Sequence, residues 1–403
     1  MQDRISKKRT IKDILLQIVT YFSSSFSIIC LLGILIYVLV TGASSLDFRM
    51  LTGDYYENPS FATVIKEDDT VFDLQDNNGV YYSLVWGIGL QDSNDLEGNA
   101  CVLISYIDEK SPLNNAKNQT TQEPIKVSVG QMLKRVQMKT DSGNLVLTAK
   151  QGSQELAKKL DLGKEMTEFY YSSMGGGIRG SLITTLYLIL LTLVIALPIG
   201  TIAAIYLANY TKDNAFTKII RTLIDMIGGI PSIFFGLIGV IIFIPFVSNI
   251  SGNSGGSIIS GALTMSIMLL PTIIKNTEEA INNIPKGYKM SALSLGASET
   301  QTTFKIILPN AIPGILTGVL LSIGRIIGES AALIFAIGTA IQDDISLTKG
   351  STTLAVHIWT VMSGENPNYA QACAISIIIL IVVLVLNITV KLVCKKMNRF
   401  EVK

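Results

Sequence analysis

The sequence predicts an all-α polytopic membrane protein: six transmembrane helices, with a β-rich extracellular insert between the first and the second. Three observations carry that expectation. Of the 403 residues, 49% are hydrophobic and 16% charged, and the mean hydropathy is +0.45, well above that of an ordinary soluble domain. Apolar stretches run over about 14–40, 181–208, 226–247, 258–274, 311–340 and 372–390, most reaching the ~20 residues an α-helix needs to cross ~30 Å of hydrocarbon. Between the first two stands a polar segment, 42–177, punctuated by short runs of strand-forming residues.

The first stretch follows Arg4, Lys7, Lys8, Arg9 and Lys12. No small-residue cleavage site follows it and the apolar run is long, so an uncleaved helix is expected rather than a signal peptide. Lys and Arg in short loops resist transfer across the membrane, and they set orientation. With six spans, Lys212, Lys218, Arg221, Lys275, Lys286, Lys289, Lys305, Lys391, Lys395, Lys396, Arg399 and Lys403 fall on the side of the N-terminus, while the two short opposite loops hold only Lys349. Both termini are therefore expected in the cytoplasm of a multi-pass cell-membrane protein embedded in the lipid bilayer. The net charge of +1 gives no electrostatic case for nucleic acid. Four scattered cysteines imply neither a disulfide framework nor a metal site, and no cofactor is expected.

Four units follow: 1–41, N-terminus and first helix; 42–177, the insert; 178–395, five further helices; and 396–403, a cytoplasmic tail. In the insert, runs at 80–90, 100–107, 125–129 and 144–148 are β-branched and aromatic and are separated by Asn, Asp and Gly, with a helix expected near 154–160. Such a module is large enough for a modest core and reads as an extracellular cap or a docking surface for a partner, with a ligand site of its own as the alternative. Gly175, Gly176 and Gly177 read as a flexible joint.

Within the helical block, Gly228-Gly229-Ile230-Pro231 should bend or break the third span, because proline lacks a backbone donor and glycine weakens the preceding turn. Freed backbone groups in a membrane are tolerated only where protein or a water-filled cavity satisfies them. Asp225 reads as a solvated helix-end charge. In the fifth span Arg325 lies 16 residues beyond Pro309, ~24 Å along a helix and past the middle of a ~30 Å core. Glu329 follows one turn later and shares its face, so the two can pair. An ionisable side chain costs at least ~2.5 to 3.5 kcal/mol at that depth, which makes it a functional candidate. Arginine offers a planar donor fork to phosphate oxygens, and a carboxylate can accept from a P–OH that sulfate lacks. An internal salt bridge fixing helix register is the alternative. Gly314, Gly318 and Ser322, and likewise Gly324 and Gly328, recur every four residues and suit close helix packing. His357, the sole histidine, is expected at a surface or interface; alone it is poor evidence of metal.

A loop at 276–309 separates the fourth and fifth spans. Pro285 suits a first helical turn and Gly296 an end; Ser298 through Gln301 reads as a capping box. Two short helices joined at Gly296, the second stopped before Pro309, would make a bent hairpin that fits a groove on another protein, with Met290, Leu293, Leu295 and Phe304 as anchors. The run Met290 to Ala297, with Gly296 placed 13 residues before Pro309, resembles the EAA loop by which ABC-importer permeases engage their ATPase. Ala292 matches the motif, whereas Met290 and Ser291 stand where it has Glu and Ala. The resemblance implies ATPase coupling through Met290, Ala292, Leu293, Gly296, Phe304 and Pro309.

Longer runs, at 229–236, 270–280, 308–315 and 328–333, resemble the Pst phosphate-importer permeases, and Gly314 through Leu333 looks closer to the PstA subunit than to PstC. The resemblance covers roughly 175–395 and the first helix; the insert departs from the family's compact members. It implies a PstC-like second permease subunit, a PstB-like ATPase dimer inside, a PstS-like phosphate-binding protein outside, and no enzymatic activity of this chain. The sequence holds no G-x-x-x-x-G-K-[ST] loop to bind ATP. An importer permease for another oxyanion or solute, a membrane-anchored extracellular sensor and a secondary transporter are the rival readings.

Overall fold

The computed structural model describes residues 2–398 except 44, 67–70, 78, 96–99, 141–142, 174, 213 and 365–366; at 2–12 and 397–398 it describes the backbone alone. Arg399 and Lys403 of the basic tail lie outside the described residues. Six helices are long and apolar enough to cross a membrane: Asp13–Ala43, Arg179–Tyr210, Ser232–Ser251, Ile258–Asn282, Glu299–Gly328 and Tyr369–Lys396.

The first, α1 (Gln2–Ala43), touches the rest chiefly through α14 (Tyr369–Asn398). At Gly42 a Cβ would lie 2.7 Å from the backbone of Ala374, so glycine is what lets the two helices meet. Otherwise its apolar side chains, among them Phe22, Ile29, Leu31 and Ile34, are exposed, as a lipid-facing or subunit-facing helix requires. A one-turn helix α2 (Phe48–Thr52), capped by the Asp47 side chain, then leads into the insert.

The insert is an eight-stranded antiparallel sheet, ordered β2-β3-β4-β6-β8-β1-β5 with β7 also on β6. Its strands are β1 (Pro59–Ile65), β2 (Val80–Ser83), β3 (Ile88–Asn94), β4 (Ala100–Ile107), β5 (Lys117–Asn118), β6 (Met132–Thr140), β7 (Gly143–Thr148) and β8 (Glu165–Ser172). Alternate residues such as Val102 and Ile104, Val136 and Met138, or Phe169 and Tyr171 turn to one face. Helix α3 (Ser153–Leu160) closes that face with Leu156, Ala157 and Leu160, and Trp86 is buried beneath it with Nε1 donating to Leu160 O at 2.9 Å. The expected runs at 80–90, 100–107 and 144–148 fall on strands, whereas 125–129 is irregular. An isolated bridge from Lys117 to Pro124 and the Ile125 amide donating to Ala116 O at 2.9 Å tie it down, and Pro124 has no N–H to extend a ladder.

The helical block starts with α4 (Arg179–Ile205), extended by a π-helical turn to Tyr210. Helix α5 (Ala215–Gly228) is capped by Asn214 and stops at Gly228, and α6 (Ser232–Ile238) restarts after Pro231, continuing through a π turn into α7 (Ile244–Ser251). The third span is therefore 232–251, not 226–247. Residues 226–228 end an amphipathic helix whose Phe216, Ile219, Leu223 and Met226 are exposed while Ile220 and Ile224 pack inward.

Helix α8 (Ile258–Asn282) is the most buried span and the axis of the fold. It lies alongside α4, with Gly200 against Ile273, and antiparallel to α11 (Leu308–Gly328), with Gly314 against Ala280 and Gly318 against Asn276. These are the close approaches expected of Gly314 and Gly318, and Ser322 is buried beside them. Gly324 and Gly328 behave differently: a Cβ on either would meet nothing from another element within 4 Å, so they open a face of α11 instead of packing it.

Between α8 and α11 come α9 (Lys286–Ser294) and α10 (Glu299–Thr302). Pro309 does not end the second short helix. The chain runs without interruption from Glu299 to Gly328, because a π-helical turn over Thr303–Ile307 makes room for the proline ring and its missing donor. The fifth span also ends early. Helix α11 stops at Gly328, and a separate α12 (Ala331–Ala336) follows, then an irregular stretch, α13 (Leu354–Met362) and α14.

Candidate functional site

Two interruptions meet in the middle of the block. At the first, a Cβ on Gly228 would lie 3.7 Å from that of Pro271. At the second, the α8–α11 register, carried seven residues beyond Gly318 and Asn276, places Arg325 level with about Leu269. Both are close to the midpoint of α8, and beyond them α6 and α12 run side by side, with Gly236 so close to Ala332 that a Cβ would come within 2.9 Å of its backbone. Broken helices at mid-depth leave backbone groups free where polar or ionic cargo passes.

Arg325 and Glu329 border this region but form no pair. Because the helix ends at Gly328, Glu329 is extended, and its Oε1 accepts from the Ala332 N–H at 3.2 Å, which caps α12. No ion pair or hydrogen bond is made by the Arg325 side chain among the described residues, so the register-fixing salt bridge is not formed. Arg325 is half-buried and adjoins the open face that Leu321, Gly324 and Gly328 present. An arginine at this depth is costly to leave without a counter-charge.

On the end of the block away from the insert, two ion pairs of opposite sense tie α5 to α8. Arg221 meets Glu278 at 2.6 Å, and Lys275 meets Asp225 at 2.6 Å; Asp225, exposed in the last turn of α5, is the solvated helix-end charge expected, and it also carries an ion pair. At the same end, α9 finishes at Ser294, Gly296 turns with φ +85°, and the reciprocal Ser298 and Gln301 bonds, at 3.0 and 3.2 Å, open the next helix. The hairpin displays Met290, Leu295 and Phe304, with Leu295 90% exposed. Ala292 is buried and supports the turn from within, and Leu293 is half-buried; neither offers the open surface of Leu295.

At the insert end, the Gly175–Gly177 joint is packed. A Cβ on Gly177 would lie 2.1 Å from Gly53 O, and the Gly176 and Gly177 amides donate to Tyr55 O and Asp54 O at 2.7 and 3.0 Å. His357 is wholly buried instead of lying at a surface, its Nδ1 2.8 Å from Ser181 Oγ, with the Tyr55 ring edge-on at 5.2 Å. Burial lowers its pKa to about 4, against the opposing pull of Asp343. A cleft of about 1130 Å³ lies in the insert where β4 leaves β6. Of its lining cations, Lys134 and Arg135 are held by Glu57 and Glu168. Cys101 on its wall is free, its thiol pKa raised by burial and by Asp95.

Residues 196–399 match the family model described as the binding-protein-dependent transport system inner membrane component. The chain belongs to that family. The match covers just over half of the chain and contains both breaks and the hairpin. Among curated relatives, the probable ABC transporter permease protein YqgI of Bacillus subtilis is 36% identical over 200 residues, covering 46% of this chain and 66% of its own length. The phosphate transport system permease protein PstA of Pasteurella multocida is 36% identical over 160 residues, 40% of this chain and 55% of its own. A PstA homolog of Mycoplasma pneumoniae is 33% identical over 187 residues, 46% of this chain and 29% of its own. The chain thus spans between under a third and just under two thirds of the length of these relatives. Solved structures of the MetNI methionine ABC transporter align at a TM-score of 0.42 and 22% identity, over 55% of this chain and 95% of that one. The chain's similarity to the PstA permeases rests on sequence relatives, and the family model's match, at 196–399, does not include the insert.

Proposed function

We propose that the chain is the PstA-like permease subunit of an ATP-driven phosphate importer, with the insert outside the cell and both termini inside. The observation that carries this reading is Arg325: a mid-depth guanidinium with no partner among the described residues, beside a glycine-lined face and the two helix breaks. Phosphate oxygens suit its donor fork, and the relatives named for phosphate transport support that cargo. Glu329, fixed at the second break, faces an anion with a carboxylate and favours one that retains a proton over sulfate.

The hairpin around Gly296 couples to a cytoplasmic ATPase dimer, with Leu295, Met290 and Phe304 entering its groove and Pro309 continuing the motion into α11. A second, PstC-like permease completes the pathway and covers the open face of α11. An extracellular phosphate-binding protein delivers the ion. This chain hydrolyses nothing. Gly229 and Pro231 give α6 a pivot independent of α5. Uptake of radiolabelled phosphate by the assembled complex, with sulfate or molybdate as competitor, tests the cargo. Competition by unlabelled phosphate alone is expected, and equal competition by sulfate refutes the phosphate assignment.

A further inference from the structure

The insert is tied to more than its own ends. Both chains at its root are bonded to each other, Asn58 N to Ser173 Oγ at 2.9 Å and Ile178 N to Met50 O at 2.8 Å. The root is also bonded to segments far along the sequence. Asp343, in the irregular stretch after α12, receives the amides of Tyr55 and Tyr56 on its two carboxylate oxygens at 2.6 and 3.0 Å. Asp54 pairs with Arg179 at the start of α4, and Gln371 Nε2 donates to Gly176 O at 3.0 Å. Bonds from a carboxylate to backbone amides are charge-assisted and short, and they fix direction as well as position.

The stretch that carries Asp343 is itself seated. A Cβ on Gly180 would lie 2.0 Å from Gln342 O. Thr184 meets Ser351 at 2.8 Å, Ser181 meets Thr352 at 2.9 Å, and Thr185 accepts from the Leu354 amide at 2.9 Å. Towards the break, Ile337 and Ile341 are buried, and Ala336 O accepts from Ser260 Oγ at 2.7 Å. The insert root is therefore bonded to Asp343, and from there the chain leads back through the buried Ile341 and Ile337 to the half-helix that Glu329 caps.

We propose that the insert is a brace on α12, with Asp343 as the rivet: its root and the half-helix beyond the Gly328 break open and close as one unit. A partner that grips the insert would then act on the break without touching it. The brace stands on bonds within this chain; its bearing on transport rests on the permease reading above.

Amide hydrogen exchange of the full chain, measured without any transport assay, tests the brace by itself. In the Asp343→Asn variant, exchange should accelerate at least tenfold both at 54–58 and at 331–341. Acceleration at 54–58 with 331–341 unchanged overturns the proposal. The wild-type chain provides a second measurement that needs no variant. Across a denaturant series below the unfolding transition, the two segments should converge on one opening, and separate openings overturn the proposal equally.

Discussion

His357 makes the stability of the insert junction depend on acidity. Its ring lies buried against Ser181 and Tyr55, and Nε2 has no partner, so a proton there would place a cation in a site with no acceptor for it. The folded pKa is about 4 against an ordinary 6.5. Above pH 6.5 the ring is neutral in both states and the junction keeps its full stability. As pH falls from 6.5 toward 4, the unfolded chain takes up the proton first. Stability then drops by ~1.4 kcal/mol per pH unit, about 3 kcal/mol in all. Below pH 4 both states are protonated and this contribution is flat. Carboxylates titrate in the lower part of the same window, so the informative quantity is a difference between proteins. Thermal unfolding of the solubilised chain and of His357→Gln should be followed from pH 7.5 to 4. The wild type should lose about 3 kcal/mol more than the variant across that range. Parallel curves would refute the account of a buried, neutral histidine.

Three further outcomes follow from the packing. Trp86→Ala removes a wholly buried ring and the bond to Leu160 O, and should cost about 3 to 5 kcal/mol in unfolding of the insert, read by near-ultraviolet circular dichroism. Gly180→Ala sets a methyl against Gln342 O and should cost about 1 to 3 kcal/mol, visible as a lower melting temperature; an unchanged value would mean that the 342 segment yields freely. Leu295→Asp changes a side chain that touches solvent and should shift stability by less than about 0.5 kcal/mol, yet abolish co-purification with the ATPase. Retention of the ATPase would remove Leu295 from the coupling surface.

The six spans were legible because membrane-length apolar runs are the strongest signal a sequence carries. Where they end was less so. Pro309 reads locally as a stop, but one π turn absorbs it, while Gly328 ends a helix within an apolar run that extends on both sides of it. Just beyond that end, Ala332 sits so close to Gly236 that a Cβ on Gly236 would meet the Ala332 backbone at 2.9 Å, a contact a local reading does not contain. Arg325 could be singled out from its depth, whereas its lack of a partner could not, since the pairing with Glu329 assumed an unbroken helix. In the insert, β6 and β8 were hidden by register shifts at Leu133/Arg135 and at Gln137/Met138, which break the alternation of buried and exposed residues. The Ser298 and Gln301 caps were read correctly because such bonds depend on four neighbouring residues alone. His357 was misplaced for the opposite reason: its burial is made by Tyr55 and Ser181, which a sequence window around it does not contain.

The central claim is that Arg325 receives the transported anion. Its most direct test is the phosphate-stimulated ATPase activity of the complex assembled with the second permease, the ATPase and the binding protein, comparing wild type with Arg325→Gln. Loss of a charge-assisted bond of about 1.5 to 3 kcal/mol should cut stimulation roughly 10- to 100-fold while assembly stays normal. Full stimulation in a normally assembled Arg325→Gln complex would contradict the account.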